Sequence, residues 1–170
     1  RGLTFYKIRS ILLTQLNTNL QTKEAGAGVK LHRIKALKNF GKIKAGELGG
    51  WIEHESNLSQ EGDAWVSDNA QVFGNAHVYG NSQIYGDAQV YDLAQVYGDV
   101  QVCGYARIYG NVRIYDLAQV SDNAQVFGNA HVHGVVWVCG YDHIFGNAFG
   151  SIENILTLNG KKYKLIEIKA

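Results

Sequence analysis

The sequence predicts an all-β fold in which a single chain winds into a parallel β-solenoid, and three observations carry that prediction. A six-residue unit runs without insertion or deletion through residues 62–151, fifteen copies in all. Its first position is Gly eleven times and Asp four times (Asp68, Asp92, Asp116, Asp122), and its second is Asn or Asp in ten copies. These are turn residues, tolerant of positive φ and able to bond their own backbone. Its third position is Ala in ten copies and its fifth is Val or Ile in fourteen, failing only at Gly150. Positions three and five therefore share one face of a short strand, and positions four and six the other. A four-residue strand closed by a two-residue corner cannot bury its apolar face alone and must stack on copies of itself.

Three such strands close a triangle, so the expected coil has 18 residues and residues 62–151 make five coils. The block Asp68-Asn-Ala-Gln-Val-Phe-Gly-Asn-Ala-His-Val78 recurs unchanged from Asp122 to Val132, an offset of 54 residues, which is three whole coils. The expected interior columns are Val66, Ile84, Val102, Val120 and Val138; Val72, Val90, Ile108, Val126 and Ile144; and Val78, Val96, Ile114 and Val132. Outward, Phe73, Tyr91, Tyr109, Phe127 and Phe145 form one column, and Tyr79, Tyr97, Tyr115 and His133 another. At the roughly 4.8 Å separation of neighbouring strands these rings are within stacking reach, so their first task is to hold the coils in register. Both columns are also the candidate interaction surface, because paired aromatic columns make a half-apolar patch of the kind that marks a protein contact. The third outward column is Ser67, Tyr85, Cys103, Ser121 and Cys139. Its two cysteines lie two coils apart, roughly 10 Å, which exceeds the reach of a disulfide, and free thiols are expected.

The ends differ from this body. Residues 1–50 hold ten Lys/Arg against Glu24 and Glu47 (+8), residues 51–151 eleven acidic groups against Arg107 and Arg113 (−9), and residues 152–170 four Lys against two Glu (+2), which sum to the net +1. The expected division is a basic entry segment over residues 1–50, the β-helix over 51–151 and a C-terminal hairpin cap over 152–170. The hairpin follows from alternation on either side of Asn159-Gly160. In residues 1–22 the spacing of Ile8, Ile11, Leu12, Leu16 and Leu20 allows a helix, while Leu3-Thr-Phe-Tyr-Lys-Ile8 suits a strand. No apolar run reaches the roughly 20 residues of a membrane span and no signal peptide is visible, so the chain is expected to be soluble. Arg1 in place of an initiator Met points to a processed or trimmed N-terminus and leaves the compartment open.

Units such as Ile-Tyr-Gly-Asp-Ala-Gln and Val-Phe-Gly-Asn-Ala-His resemble the hexapeptide repeat of left-handed parallel β-helices, the fold of the hexapeptide acyltransferases. The stretch from Leu31 to Glu53, followed by Asn57-Leu-Ser-Gln-Glu-Gly-Asp-Ala-Trp-Val66, more narrowly resembles the entry segment of the YdcK-like proteins. These are bacterial and phage-borne hexapeptide-repeat proteins often labelled acyltransferases. The resemblance covers about residues 31–150; left-handedness and the acyltransferase label come from it alone.

In the acyltransferases that the chain resembles, catalysis needs a His on or near a loop that interrupts the coils, and here fifteen units pass without one. His77, His131 and His143 hold the fourth position, where Gln or Arg is usual, and read as solvated side chains. His133 replaces a column Tyr. His131 and His133 point the same way from one strand, yet no Cys or carboxylate falls obviously beside them to complete a metal site. Asp142 stands in the column of Ala70, Ala88, Ala106 and Ala124, and is read as lying near water or bonded to the cap. Gly26-Ala-Gly-Val-Lys30 lacks the spacing of a phosphate loop, and no Thr occurs in residues 51–151 to build an ice-binding array. Stacked rings show edges more than faces, which suits sugars poorly. The expectation is a non-catalytic scaffold acting in self-association or protein interaction, as a homo-oligomer or a head-to-tail assembly. A hexapeptide-type acyltransferase using acyl-CoA is the alternative, and a glycan- or surface-binding module the third. Catalytic and cofactor-binding residues are left unassigned. No cofactor or metal site is expected, and nucleic acid is not an expected partner.

Overall fold

The computed structural model describes residues 11–13, 22–146, 149–151, 155–158 and 161–164. Over residues 48–146 and 149–151 the chain forms a parallel β-solenoid with three faces. The first face stacks Leu48–Ile52, Gln71–Val72, Gln89–Val90, Arg107–Ile108, Gln125–Val126 and His143–Ile144. The second stacks His77–Val78, Gln95–Val96, Arg113–Ile114, His131–Val132 and Phe149–Ser151. The third stacks Trp65–Val66, Gln83–Ile84, Gln101–Val102, Gln119–Val120 and Trp137–Val138. Pairing such as Gln89 with Arg107 and Arg107 with Gln125 gives the 18-residue coil that the repeat requires.

The side chains follow the pattern of the unit. The fourteen Val and Ile at the fifth position are all buried, including Val72, Val90, Ile108 and Val126 at no exposure. The third position is buried as well, except at Asp142, which lies in solvent and accepts a bond from the Cys139 N–H through Oδ2 at 3.4 Å. The interior is one continuous cluster from Ile34 to Ile144.

All fifteen first positions have positive φ, from 54° at Asp68 to 84° at Gly98. A side chain there would also crowd the neighbouring coil, since a Cβ on Gly98 would lie 2.9 Å from the Asp116 nitrogen. Glycine meets both demands. Where Asp stands instead, its carboxylate uses the proximity. Asp68 Oδ2 accepts from the Gly86 N–H at 3.0 Å, Asp92 from Gly110 at 3.0 Å, Asp116 from Gly134 at 3.1 Å and Asp122 from Gly140 at 3.0 Å.

The solenoid begins earlier than its strict repeat. Trp51 and Ile52 pair in parallel with Gln71 and Val72, and Leu58 bridges to Val78, an offset of 20 rather than 18 residues. The two additional residues, Gln60 and Glu61, follow Leu58 and its sequel Ser59 and precede the first corner Gly62. Because this partial coil lacks the usual corners, other side chains tie it down. Asn57, 1% exposed, donates from Nδ2 to the carbonyls of Gly74 (3.0 Å) and Ala76 (2.8 Å) and accepts from the His54 N–H (2.7 Å). Glu53 Oε2 accepts from the Gly74 N–H at 2.7 Å.

At the N-terminal end, β1 (Ile11–Leu13), β2 (Thr22–Ala25), β3 (Val29–Ala36) and β4 (Leu48–Ile52) extend the first face with antiparallel pairs, β1 and β2 each on β3 and β3 on β4. Ile11–Leu13, part of the spacing that allows a helix, is a strand; the strand suggested over Leu3–Ile8 lies outside the described residues, as do residues 1–10 and 14–21 altogether. At the other end Phe149–Ser151 pairs antiparallel with Ile155–Leu158, and that strand with Lys161–Lys164, the hairpin expected around Asn159-Gly160, whose turn lies outside the described residues. Among the described residues no helix is long and apolar enough to cross a membrane.

Candidate interaction surface

On the first face Phe73, Tyr91, Tyr109, Phe127 and Phe145 follow one another at ring separations of 4.9, 5.1, 5.1 and 5.5 Å, with planes within 16° of parallel. On the second, Tyr79, Tyr97, Tyr115 and His133 do so at 4.7, 5.1 and 4.9 Å. Each ring spends its faces on its neighbours, so the rings are half-buried and only Phe145, at the end of its column, is exposed. Burial in the stack, followed by the neighbouring tyrosine, raises the phenol pKa of Tyr79 (beside Tyr97), Tyr91 (beside Tyr109) and Tyr115 (beside Tyr97). The stacks therefore favour neutral rings.

The third face has no such stack. Tyr85 has Ser67 and Cys103 as its column neighbours; its phenol is pushed up to about 12, first by a hydrogen bond with Cys103 and then by burial. Cys103 and Cys139 are free thiols.

Leu37, Leu48, Leu93, Tyr105 and Leu117 are exposed large apolar groups scattered over the entry and the body, but four others, including the two most exposed, fall along one row. In the last coil Val135 is 49% exposed, Trp137 67%, Tyr141 82% and Phe145 43%. Cys139 and His143, which alternate with them, are exposed too. One coil earlier the same places hold Leu117, Gln119, Ser121, Asn123, Gln125 and Phe127, of which the second to fifth are polar and only Leu117 is a large exposed apolar group. The last coil thus turns a polar row into an aromatic belt. Trp137–Val138 and His143–Ile144 are also the terminal strands of their faces in the described pairing. Reading the outer side chains as columns misses this; the signal was present in Val135, Trp137 and Tyr141, which break the second- and fourth-position patterns within one coil.

The histidines are dispersed. His77 and His143 are exposed, and burial lowers the pKa of His77. The pKa of His131 is lowered by burial, then by Arg113 and His133. His133 stacks on Tyr115, with Nδ1 3.9 Å from Asp116 Oδ2. Among the described residues no three His, Cys, Asp or Glu side chains converge as a metal site would require.

A cleft of 540 Å³ opens on the third face beneath the turn 40–43. It is lined on one side by Phe40, Lys42 and Ile43 and on the other by Asp63, Asn81, Gln83, Tyr85, Asp99 and Gln101. Phe40 anchors the turn edge-on against Trp65, with ring centroids 5.4 Å apart.

Continuous six-residue units, parallel faces and a filled interior define the chain as a hexapeptide-repeat β-solenoid protein. More narrowly, two segments, residues 70–86 and 118–134, match the family model of the YdcK β-solenoid repeat. Over 46 residues it is 46% identical to a protein of Escherichia coli (strain K12) described as the uncharacterized acetyltransferase YdcK. That match covers 26% of this chain and spans 14% of the Escherichia coli protein.

Proposed function

We propose that this protein is a non-catalytic β-solenoid scaffold that associates with copies of itself through outward aromatic side chains. The observation that carries the reading is the belt Val135, Trp137, Tyr141 and Phe145, exposed apolar groups on a coil whose predecessor is polar at most of the same places. Soluble chains expose a contiguous apolar row chiefly where something covers it. The first-face column Phe73, Tyr91, Tyr109 and Phe127 runs into the belt at Phe145, and the second-face column Tyr79, Tyr97, Tyr115 and His133 supplies further ring edges on a separate face. The opposed balances of +8 over residues 1–50 and −9 over residues 51–151 support a copy-to-copy arrangement, since one molecule carries both halves of an electrostatic match. Light scattering on the wild type and on a Trp137→Gln/Tyr141→Asn variant tests this. Both replacements are the residues of the preceding coil, so the coil keeps its fold. A wild-type oligomer that becomes smaller in the variant is expected; a wild type that stays monomeric at high concentration would sink the proposal.

The similarity to a protein described as an acetyltransferase favours one other reading, acyl transfer from acyl-CoA. Calorimetry with acetyl-CoA decides between them, because saturable binding followed by turnover on an acceptor belongs to the enzyme alone.

A further inference from the structure

We infer that the cleft beneath the turn 40–43 is a binding site for a neutral saccharide. Its 540 Å³ lies within the roughly 300–1,000 Å³ of small-ligand sites. Its polar lining is a shelf dominated by carboxamides. Asn81 and Gln83 sit on one coil and Gln101 on the next, and they present both donors and acceptors, as vicinal hydroxyl groups require. The shelf is already ordered: Gln83 Nε2 donates to the Asp63 carbonyl at 2.7 Å, Asn81 Nδ2 to Asp99 Oδ1 at 2.9 Å, and the Tyr85 hydroxyl to Gln101 Oε1 at 3.4 Å. Ligand hydroxyls would therefore meet side chains whose rotamers are held in place, which lowers the entropic cost of binding.

The apolar components complete the match. Phe40 and Ile43 form one wall, and Tyr85 stands on the other with Ser67 and Cys103, not rings, as its column neighbours. It thus differs from the stacked tyrosines, whose faces are occupied, and can lie against the C–H face of a pyranose.

Charge argues against anionic ligands and against a bound metal cation. Asp63 and Asp99 outnumber Lys42, which disfavours phosphates and the anionic acyl-CoA. The two carboxylates are two coils apart, roughly 10 Å, and do not converge on a single cation.

The test uses the full chain with cellotriose, maltotriose and tri-N-acetylchitotriose as probes. Binding is followed by titration calorimetry and by amide chemical shifts. At least one trisaccharide is expected to bind saturably in the millimolar range or tighter, with shifts at residues 40–43, 81–85 and 99–101. The Tyr85→Ser/Gln101→Ala variant, in which Ser is the native residue elsewhere in that column, is expected to bind at least about tenfold more weakly while keeping its melting temperature. Absence of saturable binding by all three probes, shifts confined to other coils, or equal affinity in a folded variant would overturn the inference. If that variant fails to fold, the wild-type shift map alone decides. The oligomeric state set by the last coil is read separately, so failure of one proposal leaves the other standing.

Discussion

At the corners where Asp replaces Gly, one side chain answers two physical demands. A non-glycine residue at φ 54–64° carries a strain of roughly 1–2 kcal/mol. The bond from the next coil's N–H to the carboxylate offsets it, since hydrogen bonds to charged groups contribute about 1.5–3 kcal/mol. Asp92→Ala keeps the strain and loses the bond, whereas Asp92→Gly loses the bond and relieves the strain. The alanine variant is therefore expected to be less stable than the glycine variant by about 1 kcal/mol, measured by urea denaturation. A second residue-scale expectation concerns His131, whose pKa burial, Arg113 and His133 lower in the folded chain. The unfolded chain then binds the proton more readily, so this group's contribution to stability is full above the ordinary value of 6.5 and declines as pH falls through it. Replacing His131 with Gln, the commonest residue at the fourth position, should remove that decline. Melting curves of both proteins between pH 8 and about 5 would show the gap opening on the acid side; a constant gap would contradict the assignment.

Among the elements, the repeat made the body legible and the entry illegible, for one reason. Strict six-residue spacing predicts which residues share a column because every strand has the same neighbours, and the three interior columns of Val and Ile are buried accordingly. The partial coil over 48–61 has no corner glycine, and although Ile52 and Leu58 keep the six-residue spacing, the two residues added at Gln60 and Glu61 put them out of phase with the repeat, which shows only in the pairing of Trp51 with Gln71 and of Leu58 with Val78. For the same reason no repeat position marks out Asn57, although it bonds two carbonyls of the following coil from inside the protein. Asn57→Leu leaves those carbonyls unsatisfied and should cost about 2–4 kcal/mol. That loss would appear in hydrogen exchange as earlier opening of Leu48–Ile52 than of the central strands. The aromatic columns were legible as columns, but their half-burial depends on ring against ring. The belt on the last coil required exposure to be compared along a row. The cleft needed the placement of the turn 40–43 over the third face, which no local pattern encodes.

Taken whole, the molecule is a rod whose coils touch only their neighbours, so its stability should vary along its length. Ile108, on the first face of a central coil, is buried without exposure, whereas Ile144 on the last described coil of that face is 5% exposed. Ile108→Ala should cost about 2–5 kcal/mol, and Ile144→Ala measurably less, by urea denaturation. Equal losses would mean that the last coil is covered as thoroughly as the middle. If association joins basic residues of one copy to the acidic body of another, raising salt from 50 to 500 mM should weaken it. An assembly held by the aromatic belt alone would tighten or stay unchanged.

The identical blocks at residues 68–78 and 122–132 have a consequence at the level of inheritance. A genetic crossover between them deletes or adds 54 residues, three complete coils, and rejoins the chain at the same face and the same phase. Both ends and every column would survive such an event, with only the length of the rod altered. Few folds tolerate so large a change in one step. A chain with residues 69–122 removed is expected to fold as a shorter rod, making length itself a heritable variable that recombination can adjust without passing through a misfolded intermediate.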